Sequence, residues 1–121
     1  MSAFANLSGL DLQRIWDGVQ ARVIHGERIT LGVVELDPNS QVPEHRHENE
    51  QLGICLSGSL EFRVADETLQ LGPGDTWTIP SDVPHEVRVG PDGAVVIDVF
   101  NPPRPEWRDA ERGDERGPRW P

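Results

Sequence analysis

The sequence predicts an all-β fold, and three observations support that prediction. Apolar and polar residues alternate over short stretches, which is typical of strands that bury one face. About eight such stretches recur at intervals of roughly 8–12 residues. Twelve glycines and eleven prolines among 121 residues supply the turns between them. This pattern is that of a β-sandwich or a small β-barrel.

Taken in order, residues 1–18 form an N-terminal arm and residues 19–101 form the barrel. The first two strands are antiparallel around a Gly-Glu turn, in VQARVIHGERITLGVVEL. Short strands separated by tight turns are then predicted in EQLGICLSG, SLEFRVADE and TLQLGPGD. A strand, a loop and a strand follow in DTWTIPSDVPHEVRV, GPDG is a turn, and AVVIDVF is the last strand.

The composition changes from residue 102, where a Pro- and Arg-rich tail begins and continues to residue 121. Trp107 and Trp120 are its two large apolar side chains. A segment this polar is expected to be disordered or to lie on the surface. The two tryptophans favour docking, and a partner subunit is the expected surface.

Charge and cysteine content exclude several classes of function. The net charge is -10, which disfavours nucleic acid and anionic membranes as partners, since both need a basic surface. A small anionic substrate remains possible if a local cation holds it. One cysteine permits no intrachain disulfide, and no signal peptide or apolar span is recognisable. A cytoplasmic location is therefore expected.

Two of the four histidines lie one residue apart in PEHRHENEQLG. In an extended segment, residues i and i+2 point to the same face, so His45 and His47 can grip one ion together. Gln51 supplies a further inward polar group by the same alternation. His85, after two prolines in PSDVPHEV, is the fourth candidate. Imidazoles suit zinc, nickel, iron or manganese, while a solvated surface turn is the alternative.

A second candidate group closes the last strand in VVIDVFNPPR. Asp98 is an acid in an apolar run, and buried acids are rare unless they are paired or functional. It is either bonded to a backbone amide or an arginine, or is a general acid or base whose pKa is raised by burial. The two following prolines aim Arg104 at the barrel mouth, where it would clamp a carboxylate. A solvated tail residue is the alternative for Arg104.

PEHRHENEQLGICLSG and LGPGDTWTIPSDVPHEV resemble the two cupin motifs, in the right order and at the right separation. The resemblance implies a single cupin domain, which is a double-stranded β-helix or jelly-roll barrel. It also implies one divalent transition metal inside the barrel and a homodimer. The usual glutamate ligand is replaced by Gln51, which favours Lewis-acid chemistry on an anionic substrate over an iron oxygenase.

The glutamine and the closing DVFNPPRPEW are similar to the KdgF-type pectin-degradation cupins. The similarity implies a metal held by His45, His47, Gln51 and His85. It implies an active-site trio of Asp98, Phe100 and Arg104. The implied reaction is ring opening, or linearisation, of 4,5-unsaturated uronates. A polyketide cyclase or dioxygenase on the same barrel, or a non-catalytic metal- or ligand-binding cupin, are the alternatives.

Overall fold

The computed structural model describes residues 2–121, which form one antiparallel sheet that curls into a barrel. The strands are β1 (Gln13–Trp16), β2 (Val19–His25), β3 (Thr30–Leu36), β4 (Gln41–His45), β5 (Glu50–Val64), β6 (Glu67–Leu71), β7 (Thr76–Ile79), β8 (His85–Asn101) and β9 (Glu111–Arg112), with one short helix, α1 (Pro105–Arg108), and a 3₁₀ turn (Leu7–Gly9). Their order in the sheet is β6-β5-β8-β3-β2-β1-β9, with β4 beside β8 and β7 beside β5. The all-β prediction is confirmed.

The predicted first hairpin is confirmed. Strands β2 and β3 pair antiparallel from Val19 opposite Leu36 to His25 opposite Thr30. The amide of Gly26 donates to the carbonyl of Ile29 and closes the turn. Alternate residues of both strands enter the core, which also contains Leu60, Phe62, Trp77, Ile79 and Val96.

Two predicted turns are wrong, because the chain crosses them as extended strand. The segments around Gly58 and Gly93 lie within β5 and β8, which run for 15 and 17 residues. The pairing of these strands shifts register around Gly58, which has φ of +83°. A Cβ there would lie 1.9 Å from the carbonyl oxygen of Gly93. The glycines therefore permit close bulges that bend the long strands around the barrel.

Part of the N-terminal arm and part of the tail belong to the sheet. Strand β1 pairs with β2, and β9 pairs with β1. The tail then crosses the outer face of its own barrel, where Arg116 and Arg119 contact the buried carboxylate of Glu35. Glu35 also pairs with the buried Arg22 at 3.5 Å. The tail is thus packed against its own chain, and docking on a partner subunit stays a prediction.

Within residues 2–121, no helix has the length and apolar character of a membrane span.

Candidate metal centre

Three histidines from different parts of the chain converge at one end of the barrel. His45 ends β4, His47 lies in the following loop, and His85 begins β8 directly opposite His45. One ring nitrogen from each lies within 4.8 Å of the others. The i, i+2 spacing and the second motif are thus brought together as the sequence predicted, and Glu50 stays exposed.

The backbone fixes the tautomer of all three rings. The Nδ1–H of His45 donates to the Pro43 carbonyl at 2.8 Å, and that of His85 donates to the Val83 carbonyl at 2.9 Å. The Nδ1–H of His47 donates to the carbonyl of Asn49 at 3.0 Å. A proton on Nδ1 leaves the lone pair on Nε2, which is how outer hydrogen bonds prepare histidine for a metal. The Nε2 of His85 is buried and has no hydrogen-bond partner in residues 2–121.

The histidines resist protonation. Burial lowers the pKa of His45 and of His47, and the hydrogen bonds to backbone carbonyls only partly oppose it. Burial lowers the pKa of His85 to about 4, helped by the charges of its two neighbouring histidines and of Arg104. Neutral imidazole is the form that binds a metal, so this environment keeps the ligand form down to acid pH.

Gln51 is held so that its oxygen faces the histidines. Its amide nitrogen donates to Oδ1 of Asp98 at 2.9 Å, and the same oxygen accepts from the indole of Trp77 at 2.9 Å. The amide cannot be turned around, since its oxygen would then face the carboxylate. Its Oε1 consequently lies 3.1 Å from Nε2 of His47.

The donor set fits a divalent transition metal. The lone pair of His47 Nε2 and the oxygen of Gln51 are both acceptors, so a cation between them is what makes their approach favourable. Two ligands at right angles on a metal, each about 2.1 Å from it, lie about 3 Å apart. The unpartnered Nε2 of His85 supplies a further donor. Three imidazoles and an amide oxygen suit zinc, nickel, iron or manganese.

Two glycines beside Asp98 make room for two indoles. Gly32 and Gly53 are its neighbours across the sheet. A Cβ at Gly53 would lie 2.0 Å from Nε1 of Trp77, and one at Gly32 would lie 2.7 Å from the ring of Trp107. The indole of Trp77 therefore reaches the carboxylate only because residue 53 has no side chain.

Burial dominates the electrostatics of Asp98. The side chain is 8% exposed, and burial raises the pKa of Asp98 to about 6, against the lowering effect of its bonds to Gln51 and Trp77. No hydrogen bond within residues 2–121 involves its Oδ2, and Asp98 lines the barrel cavity. The sequence left two alternatives for Asp98, a hydrogen-bonded acid and a functional acid. Within residues 2–121, Oδ1 of Asp98 has hydrogen-bond partners and Oδ2 has none.

Arg104 lies inside the barrel mouth and not in the solvated tail. Its guanidinium stacks 5.0 Å from the ring centroid of Phe100 and 5.3 Å from that of Trp107. Its Nε donates to Glu106 at 2.6 Å, and its backbone amide donates to Oγ1 of Thr30 at 3.0 Å. Within residues 2–121 its two terminal nitrogens make no hydrogen bond, so they are available to an anion.

The cavity between these groups is small. Its volume is about 40 Å³, and its lining includes His45, His85, Asp98, Phe100 and Arg104. That volume accommodates water molecules but no sugar ring. A larger guest therefore requires movement of side chains that line the cavity.

Sequence reasoning missed three residues of this site. Asn49, between His47 and Gln51, is buried and bonded to the tail. It continues the i, i+2 spacing from His47 to Gln51, and that spacing was the available signal. Trp107 is buried at the cavity although it lies in a polar tail. Glu106, which pairs with Arg104, has no signal beyond its charge.

The domain and its fold match known proteins. A family model described as a cupin domain matches residues 32–100. An uncharacterized protein of Streptomyces coelicolor is 26% identical over 104 residues, covering 85% of this chain and 98% of that protein. KdgF from Halomonas sp. has a TM-score of 0.79 at 26% identity, covering 86% of this chain and 96% of that one.

Two further likenesses show the fold alone, because their identity is low. An RmlC-like cupin from Shewanella frigidimarina has a TM-score of 0.82 at 20% identity, covering 88% of this chain and 96% of that one. Oxalate decarboxylase of Bacillus subtilis has a TM-score of 0.70 at 22% identity, covering 84% of this chain and 31% of that one. With the family match over more than half of its length, this chain belongs to the cupin family.

Proposed function

We propose that this protein is a metal-dependent enzyme that opens the ring of 4,5-unsaturated uronates. The observation that carries the proposal is the convergence of three histidines, a buried carboxylate and an arginine at one cavity. The likeness to KdgF from Halomonas sp., together with the KdgF-like ending DVFNPPRPEW, supports this choice of substrate.

In this proposal His45, His47, Gln51 and His85 would hold one divalent transition metal. When bound there, such an ion would supply Lewis-acid chemistry that polarises a substrate oxygen. All four donors are neutral, so the full charge of the ion remains to attract an anion. This local charge offsets the repulsion of a small acid by a chain of net charge -10.

Asp98 is the proposed proton carrier. Its pKa of about 6 is close to the range in which a group both accepts and releases a proton. Its carboxylate takes the proton of the anomeric hydroxyl, and that O–H electron pair forms the aldehyde as the bond from C1 to the ring oxygen breaks. The freed pair forms the C=O bond of the ketone at C5, the C4=C5 π bond breaks, and its electron pair takes the proton at C4. No atom is gained or lost, so the reaction is an isomerisation to a linear keto acid.

Arg104 and Phe100 are the proposed binding residues. Glu106 holds the Nε of Arg104. The terminal nitrogens, free of partners in residues 2–121, match a carboxylate in the bidentate geometry that arginine favours. Phe100 is 1% exposed at the cavity wall and packs against the face of the sugar. The negative substrate thus lies between the arginine and the metal ligands.

A non-catalytic metal-binding cupin is the second candidate, and the small cavity favours it. A volume of about 40 Å³ suits a metal with bound water better than it suits a sugar. The two candidates predict the same metal binding and differ in turnover.

The test is a turnover assay of the metal-loaded protein with an unsaturated galacturonate or guluronate. The loss of ultraviolet absorbance measures the turnover. Asp98→Asn is expected to lower kcat by about 10²–10⁴-fold, the usual size of general acid–base catalysis. Metal content is measured in parallel, and Asp92→Asn, an exposed aspartate on the same strand, is the matched control. Unchanged turnover in Asp98→Asn removes the proposed role. No turnover by fully loaded wild type supports the non-catalytic candidate.

A further inference from the structure

Asn49 is a buried polar residue that the proposed reaction does not use. It is 5% exposed and lies between His47 and Gln51. Its backbone carbonyl accepts the Nδ1–H of His47 at 3.0 Å. Its side-chain amide donates to the carbonyls of Pro102 and Pro103, at 2.5 and 3.3 Å. One residue therefore contacts both a candidate metal ligand and the start of the tail.

The segment that it holds, residues 102–109, covers the barrel mouth and is called the cap below. The cap carries Arg104 and Trp107, which both line the cavity. Besides Asn49, it is held by the bond from the Arg104 amide to Thr30 Oγ1, by the bond from the Gln13 side-chain amide to the Arg108 carbonyl, and by Trp107, which lies over Gly32 and packs on Phe100. Each of these anchors contributes to how often the cap opens, so the loss of one changes that frequency.

We propose that Asn49 is a positioning residue that couples metal binding to closure of the cap. A metal on Nε2 fixes the ring of His47, and the Nδ1–H then fixes the carbonyl of Asn49. The amide of the same residue is thereby placed against the carbonyls of Pro102 and Pro103, which sets the position of Arg104. By linkage, a closed cap strengthens metal binding by the same factor.

The inference rests on the proposed metal site and is independent of the uronate. Asn49→Ala is a selective variant, because it removes the amide that holds the cap and keeps the backbone carbonyl that His47 uses. The three histidines and Gln51 remain in the chain. A loss of coupling in this variant is therefore assigned to the side-chain bond.

The experiment measures hydrogen exchange of the cap amides in metal-free and zinc-loaded protein. The amides of Arg104 and Trp107 are suitable reporters, since each makes a defined hydrogen bond. In the wild type, zinc is expected to slow their exchange by at least about fivefold, the low end of typical coupling between sites. In Asn49→Ala, zinc leaves the exchange unchanged, and the Kd for zinc rises by about the same factor.

Asn101→Ala is the matched control. Its side-chain amide also donates to a backbone carbonyl, that of Arg28 at 2.6 Å, and within residues 2–121 that amide makes no hydrogen bond to residues 45–51. Zinc is expected to protect the cap of this variant as it does in the wild type. Equal loss of protection in both variants would show a general effect of loosening the tail and would overturn the inference.

A double-mutant cycle separates coupling from damage to residues 45–51, which carry three of the four candidate ligands. Trp107→Ala opens the cap. In a chain that keeps Asn49 it is expected to weaken zinc binding, and in a chain that already carries Asn49→Ala it is expected to change zinc binding little. Additive losses would overturn the inference and leave the metal site intact. Equal zinc protection of the cap in the wild type and in Asn49→Ala would also overturn the inference and leave the metal site intact. Failure of the wild type to bind zinc would overturn the proposed function and this inference together.

Discussion

At the scale of single residues, the site depends on Gly53, which has no side chain, as much as on the polar residues around it. Gly53 lets the indole of Trp77 lie across β5 and donate to Asp98. Asp98 in turn fixes the amide of Gln51, whose oxygen faces His47. The direction of one candidate ligand, Gln51, is therefore set by a glycine two residues further along the same strand.

Gly53→Ala tests this dependence. The added Cβ would lie 2.0 Å from Trp77 Nε1, so the buried indole must shift and its bond to Asp98 must break. Overpacking of this kind costs about 1–3 kcal/mol. We expect a loss of that size in urea unfolding of the metal-free protein, together with weaker zinc binding. Gly9→Ala, where a Cβ meets nothing within 4 Å, is the control and should leave both unchanged. A neutral result at Gly53 would contradict the described packing.

Two buried groups give opposite pH dependence to the metal-free protein. His85 has its pKa lowered from 6.5 to about 4 by burial, so its protonation favours the unfolded chain and stability falls as pH drops across that window. Asp98 has its pKa raised from 3.8 to about 6 by burial, so its contribution is present below 3.8 and is lost as pH rises through 6. Between pH 6 and 4, the two effects oppose each other.

The sign of the Asp98 effect is tested with Asp98→Asn, which removes that effect and keeps that of His85. Stability of the metal-free variant should fall more steeply than that of the wild type as pH drops from 6.5 to 4. His45 and His47 have pKa values lowered by burial and add to the same fall. Urea unfolding across this pH range measures it. A variant whose stability declines less steeply than the wild type would show that the assigned shift of Asp98 has the wrong sign.

How far sequence predicts a residue's role depends on whether the signal is local. His45, His47 and Gln51 follow from alternation within one segment, and His85 from the second motif. The partners of Asp98 do not follow, because Gln51 on β5 and Trp77 on β7 are brought to it only by the pairing of β7 with β5 and of β5 with β8. Asn49 was missed for the same reason, since its partners lie 53 and 54 residues away.

At the scale of elements, glycines decide where a strand bends and where it ends. GPDG and the segment around Gly58 have turn composition, yet β5 and β8 continue through them as bulged strand. Composition predicts that the chain changes direction there but not whether the sheet pairing continues. The pairing continues because β5 and β8 are partners of each other on both sides of the bulge.

The tail is another element whose placement depends on a distant partner. Arg22 and Glu35 are 4% and 2% exposed on the outer face of β2 and β3, and the tail residues Arg116 and Arg119 cover them. Polar composition made this segment look like a solvated tail. Its arginines nevertheless pair with the carboxylate of Glu35, which is 2% exposed in the folded chain.

Glu35→Ala tests the attachment of the tail. It leaves Arg22 buried without its carboxylate, and breaking a buried ion pair in this way costs about 3–5 kcal/mol. We expect that loss in urea unfolding, with faster proteolysis of residues 113–121. Glu61→Ala, at an exposed position on β5, is the control and should change stability little. Equal stability of the two variants would contradict the described tail contact.

At the scale of the whole molecule, the barrel brings four distant segments to one mouth. β4 with its following loop, the start of β5, β8 and the cap each supply part of the site. The sequence predicted the barrel and the metal-ligand candidates through two ordered motifs. It did not predict that the cap closes over a cavity of about 40 Å³, because packing volume depends on all the side chains together. The homodimer and the cytoplasmic location stay predictions.

The most direct test of the central claim is calorimetric titration of zinc into metal-free protein that carries no histidine tag. We predict one zinc per chain, with a Kd that weakens by more than about 100-fold in His85→Ala, beyond the range typical of residues that only orient a ligand. His25→Ala, which changes the one histidine outside the cluster, should bind zinc as the wild type does. A stoichiometry other than one, or equal affinity in His85→Ala and the wild type, would contradict a metal centre at the barrel mouth.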